Sequence, residues 1–177
     1  LSGISFPTSG TLYINNTSIK GVWPNKYRSK VGQVLPEQLP FEGTLLENIT
    51  FGSSTIDRDH LNDVLTHVGL LPFIKQQPNG INTKLYPQGQ QIPYTISKRI
   101  VLARAIINGP RLLLLKDPFE HFENNEAAYL IDYLCQEEHP WTIVVASRSP
   151  LWDSKCSKKI KLSQGTLYTE KNAYYLT

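Results

Sequence analysis

Two unbroken apolar runs of strand length, residues 112–115 and 142–146, flank a stretch in which Ala127, Leu130, Ile131 and Leu134 recur at helical spacing. Strand, helix and strand in that order, with both strands continuously apolar, predict a right-handed βαβ unit in a parallel sheet covered on both faces. The fold class is therefore α/β. A further helix enters the unit: Ile96, Ile100, Ala103 and Ile107 share one face, Thr95 or Ser97 is expected to cap its start, and Gly109-Pro110 stops it. The first strand closes on Lys116 and Asp117, so charged groups fall at the carboxyl end of a parallel strand, where open α/β sheets place their ligand crevices.

The remaining segments read as smaller units around this core. Residues 11–14 alternate and meet Asn15-Asn16, which predicts a hairpin returning toward Ile19. A second apolar run, 30–35, ends at Pro36, and Pro40 and Gly43 punctuate the loop before a short helix at 45–48. Leu61, Val64, Leu65 and Val68 fall on one face of an amphipathic helix that begins near Asp57 and stops at Gly69. Residues 71–93 carry four prolines besides Gly80 and Gly89, which predicts connection with one turn of helix near 73–76. Strand, turn and strand over 158–162, 163–165 and 166–168 predict a closing hairpin.

Composition excludes several function classes. At 177 residues and 40% hydrophobic content the chain supports one domain with a real core. It has no methionine and opens in mid-pattern, so a piece of a longer polypeptide is expected. No apolar run approaches the roughly 20 residues that span a bilayer, and no signal peptide is visible. Eighteen basic and fifteen acidic residues leave a net +3, and the one cationic cluster, Lys155, Lys158, Lys159 and Lys161, reads as a solvated face; no nucleic-acid partner is expected. Cys135 and Cys156 lack CxxC spacing and read as reduced thiols, and His60, His67, His121 and His139 lack the pairing of a metal site.

Four segments in order carry a resemblance. LSGISFPTSGTLYINN, QLPFEGTLLENITFG, PNGINTKLYPQGQ and KRIVLARAIINGPRLLLLKDP are similar to successive segments of the nucleotide-binding domain of ATP-binding-cassette (ABC) transporters of the exporter type, over nearly the whole chain. The resemblance implies a P-loop NTPase-like parallel-sheet core, with an inserted helical subdomain and a C-terminal β hairpin. Residues 1–40 and 93–177 would form the core and about 41–92 the helical subdomain that docks on transmembrane coupling helices. It further implies ATP as ligand, a transmembrane domain and a second nucleotide-binding domain as partners, and a place at the cytoplasmic face of a membrane. Fold alone does not carry the activity across.

The positions that would carry chemistry depart from the family's pattern. No G-x-x-x-x-G-K-[ST] phosphate loop occurs; it would lie just before Leu1. Lys116 stands at the magnesium-associated aspartate, and like charges a few ångströms apart cost about 1 to 4 kcal/mol at effective dielectrics of 80 to 20, so magnesium binding is doubtful. Asp117 aligns with the catalytic glutamate but is one methylene shorter, and its simplest role is a helix cap after the strand. The signature clamp aligns with residues 92–96. There Pro93 removes an amide, Tyr94 adds bulk and Thr95 sits at a helix N-terminus that survives as a generic anion site. Pro36 replaces the loop glutamine, Ser147 the switch histidine and Glu123 the aspartate after the strand.

These departures predict a degenerate domain that couples ATP binding to transport with little or no hydrolysis of its own. One alternative is an active ATPase in which Lys116 supplies the cation's charge and Asp117 the base. Another is a nucleotide-independent interaction module that presents Leu61, Val64 and Leu65 to a membrane partner.

Overall fold

The computed structural model describes residues 1–169 apart from Phe6, Asn15, Ser54 and Gly165. A short hairpin of β1 (Tyr13–Ile14) and β2 (Thr17–Ser18) leads through α1 (Pro24–Arg28) into β3 (Val31–Val34). Next come β4 (Gly43–Thr44), α2 (Leu45–Thr50), α3 (Arg58–His67), α4 (Leu71–Gln76) and β5 (Lys84–Leu85). The chain continues with α5 (Tyr94–Ile106), β6 (Leu112–Lys116), α6 (Asn124–Leu134) and β7 (Thr142–Ala146), and a hairpin of β8 (Ile160–Ser163) and β9 (Thr166–Thr169) follows. The central sheet runs β3-β6-β7 with every pair parallel, in register Val34 to Leu115 and Leu115 to Val145. The expected α/β fold with a parallel core and a C-terminal hairpin is what forms. Asn15 and Gly165, each part of an expected turn, lie outside the described residues.

Among the described residues only one face of the sheet is fully covered. Gly32, Val34, Leu113 and Leu115 alternate onto one buried face. On the other, Leu112 and Leu114 are half-buried, Thr142 is exposed and Val144 is 42% exposed. An unbroken apolar strand is compatible with cover on both faces, but the described residues fully cover only one.

That face is closed by α5, which is buried nearly all round, as a helix passing through the core of a domain must be. It lies so close to β3 that a Cβ added to Gly32 would stand 2.3 Å from the Ala105 carbonyl oxygen and 2.9 Å from Leu113 Cδ1. The obstruction is backbone, so no side-chain rotation relieves it. Gly32→Ala is expected to destabilise the chain by about 3 kcal/mol, the upper end of overpacking costs; a denaturant midpoint unchanged from wild type would contradict this packing.

The inserted segment obeys the sequence patterns with instructive exceptions. Helix α2 starts with a reciprocal cap: the Thr44 hydroxyl accepts from Glu47 N at 3.1 Å, and Glu47 Oε2 accepts from Thr44 N at 2.7 Å. Helix α3 is capped by Asp57 and ends at Gly69, whose φ of +72° and the Leu70 N to Leu65 O bond of 2.9 Å make a Schellman stop. Its apolar face is not free for a partner, because Val64 and Leu65 are buried and the half-buried Leu61 packs on the same core. The region expected to be mostly connection contains α4, which starts two residues before the expected turn, and β5, which pairs with β4. Pro72 sits in the first turn of α4, where its missing N–H costs nothing.

A run of rings joins α3 to the far end of α6. His67 stacks on Tyr133 at 4.5 Å, His139 meets the Tyr133 edge at 4.8 Å, and Trp141 stacks on His139 at 4.1 Å. His139 Nε2 is buried with no partner among the described residues. Burial pulls the His139 imidazole below its usual range, against smaller upward pulls that include Glu138 and Asp63, and the neighbouring His67 adds to the lowering. A depressed folded-state value means that the unfolded chain takes up the proton first, near pH 6.5, so stability is lost as pH falls through and below that point. Thermal melts between pH 7.5 and 5 are expected to show a falling midpoint, and His139→Phe is expected to flatten the fall; an identical acid dependence in the variant would remove His139 as its source.

Candidate functional site

Because β3, β6 and β7 are parallel, their carboxyl ends gather on one edge, with β6 in the middle. Lys116 is the last residue of β6 and pairs with Ala146. It is exposed and alternates onto the half-covered face with Leu112 and Leu114. Asp117 follows with φ +39°, donates its N–H to the Ala146 carbonyl at 2.9 Å, and accepts at Oδ1 from Arg148 N at 3.2 Å. Its carboxylate therefore stitches the end of β6 to the loop after β7. It does not cap a helix; the N-cap of α6 is Glu123, whose side chain makes no cap bond.

Ser147 lies beside it, its hydroxyl accepting from Ser149 N at 3.2 Å, while Ser149 accepts from Leu151 N at 3.4 Å. Asp117 and Ser147 line one cleft of about 380 Å³ with Glu120, Asn124, Arg148 and an aromatic wall that includes Phe119 and Trp152. The wall is ordered by stacking: Phe119 lies parallel to Trp152 at 6.2 Å and edge-on to Phe122 at 5.3 Å. The structure thus unites two of the sequence-predicted site residues and leaves Lys116 outside that lining.

The start of α5 gathers a second group. Pro93 is the N-cap, in extended conformation, and accepts from Ser97 N at 3.0 Å. Neither Thr95 nor Ser97 caps the helix as expected, because the chain already turns helical at Tyr94 once Pro93 sets its φ. Thr95 is half-buried inside the first turn. Tyr94 meets His121 edge-on at 5.1 Å and lies 5.2 Å from Lys98 Nζ. Burial raises the Tyr94 phenol above its usual range, and the charge of Glu120 adds to this.

Pro36 enters the site only through its carbonyl, which accepts from Lys98 Nζ at 2.6 Å. Lys98 also donates to Leu35 O at 3.1 Å and Gln38 O at 3.0 Å and is 4% exposed. Sequence reasoning did not single out Lys98, nor Arg99 and Arg104 on the same helix. A cation at an otherwise buried helical register, three residues from Val101 and four from Leu102, is the signal that would have found Lys98.

Comparison with known proteins places this arrangement. The family model described as ABC transporter matches residues 1–120, and the chain belongs to that family. An ATP-dependent permease of Candida albicans, MDL1, is 34% identical over 112 residues, which are 63% of this chain and 16% of the relative. An uncharacterized ABC transporter ATP-binding protein of Bacillus subtilis, YfiB, is 29% identical over 142 residues, 80% of this chain and 25% of the relative. Among solved structures, a bacterial Atm1-family ABC exporter with ATP bound aligns with a TM-score of 0.83 at 21% identity, covering 92% of this chain and 29% of the other. The chain therefore spans about a sixth to a quarter of the length of these relatives.

The geometry assigns Asp117 a structural acceptor role that any side chain with the same oxygen can fill. Asp117→Asn is expected to leave stability within about 0.5 kcal/mol of wild type, and Asp117→Ala to cost about 0.5 to 1 kcal/mol, because the bond it removes is solvent-exposed and water can replace the acceptor. Urea unfolding of both variants checks this, and equal losses for Asn and Ala would show that the shared oxygen is not what matters.

Proposed function

We propose that the chain is the nucleotide-binding module of an exporter that has kept its scaffold and lost ATP hydrolysis of its own. It acts as a structural and allosteric partner to a transmembrane domain and to a second nucleotide-binding module, at the cytoplasmic face of a membrane. Residues 41–92 form the docking subdomain in this reading. Membership of the ABC transporter family and the fold shared with an exporter support the scaffold half.

The observation that carries the loss of hydrolysis is the engagement of Asp117. A general base must reach the water it activates, and this carboxylate is turned to the Arg148 amide with its backbone in a strained region. Two further features agree. Lys116 puts a cation at the end of β6, where a divalent metal would need a carboxylate, and Pro93 supplies no amide at the start of α5. These residues do not fit a magnesium triphosphate, so no step of hydrolysis is assigned to them.

Phosphate release by the full-length protein, with and without magnesium, tests the reading together with calorimetry of ATP binding. Lys116→Ala and Asp117→Asn are each expected to leave any measured rate unchanged, because turnover belongs to another module. A magnesium-independent rate that collapses on Lys116→Ala would instead establish the active-ATPase alternative. Absence of any nucleotide binding would favour a nucleotide-independent interaction module that uses a surface other than the buried face of α3.

A further inference from the structure

Lys98 has an environment that its helix does not require. Its ammonium carries three protons, and three carbonyl oxygens converge on it, from Leu35, Pro36 and Gln38, at 3.1, 2.6 and 3.0 Å. The Tyr94 ring lies 5.2 Å away. All three acceptors belong to the loop that leaves β3, where Pro36 has no N–H and the parallel ladder has ended at Val34. The loop is closed on itself as well: Gln38 Oε1 accepts from Leu35 N at 2.9 Å, and Gln38 N donates to Leu35 O at 3.1 Å.

We propose that Lys98 is a positioning residue, a permanent latch that holds the 35–38 loop against α5 in one conformation whether or not nucleotide is present. The physical reason is that the loop and the cation cannot part cheaply. Moving the loop would leave a nearly buried ammonium without its acceptors and three carbonyls without a donor. Glu37 is the carboxylate that acts on Lys98, and it is exposed, so the carbonyls rather than an ion pair hold the charge. The inference rests on and deepens the reading of a module that has lost hydrolysis of its own, since a loop fixed from the helix side has no freedom left for a ligand to set.

Hydrogen exchange on the full-length protein tests it. The peptide spanning 34–39 is expected to be protected in wild type and unmoved by saturating ATP with magnesium. In Lys98→Met its exchange is expected to rise at least tenfold while peptides from β6 and α6 stay as they were. Gln38→Ala keeps Lys98 and all three of its carbonyl acceptors and frees only Leu35 N, so it is expected to raise exchange of the same peptide less than about threefold, which keeps the latch testable if the Lys98 variant folds poorly. Unchanged exchange of 34–39 in Lys98→Met, a tenfold rise in Gln38→Ala, or an ATP-driven change in the wild-type peptide as large as that of Lys98→Met would each overturn the latch. Phosphate release measured on the wild type and on Lys116→Ala reports separately on hydrolysis, so turnover that collapses on Lys116→Ala beside a protected loop would sink the proposed loss of hydrolysis and leave the latch standing.

Discussion

Three cations on α5 are committed to backbone carbonyls of three other segments, and the arrangement of the chain depends on them. Lys98 holds the loop after β3. Arg99 donates to Val68 O at the end of α3 at 2.7 Å and pairs with Glu126 of α6 at 2.9 Å. Arg104 donates from Nε to Asn48 O of α2 at 2.6 Å and from Nη2 to Asn48 Oδ1 at 2.9 Å. Carbonyls at helix ends and in loops have no ladder partner, and a buried cation needs several acceptors, so each deficit answers the other.

The close fit of this helix explains two glycines and one pair of exposed rings. Gly32 lets β3 approach the Ala105 carbonyl, and Gly69 leaves room for the Arg99 guanidinium, which would stand 2.4 Å from an added Cβ. Arg104 is flanked by the rings of Phe41 and Phe51 at 5.2 and 4.9 Å, and burial lowers its guanidinium to about 10, still charged at neutral pH. The inserted helices are thus joined to the core through charge as well as through the shared apolar cluster that runs from Val34 to Trp152.

Much of the framework was legible in residue order. The apolar runs of β6 and β7, the helical spacing of α3 and α6 and the stops at Gly69 and Gly109 are local signals, and local sterics enforce them. Proline misled at Pro72, because a proline interrupts a helix interior but suits its first turn, and spacing alone does not say which applies. That the described residues cover the sheet on one side was hidden for a related reason: an apolar side chain advertises a capacity for burial, while what lies over it is set by distant segments. Of the site residues, Asp117 and Ser147 line one cleft, since two adjacent parallel strands end together. The latch on Pro36 was invisible, because its donor lies 62 residues away.

By itself the sequence determined the element order, the parallel core and the kinds of side chain standing at the sheet's carboxyl edge, because these follow from periodicity, chain stops and residue chemistry. Only the tertiary structure decided that the Asp117 carboxylate faces an amide, that Lys116 stays outside the cleft and that Lys98 takes three carbonyls. Those outcomes depend on directions in space between residues far apart in the chain, and hydrogen-bond direction is a property of the packed molecule.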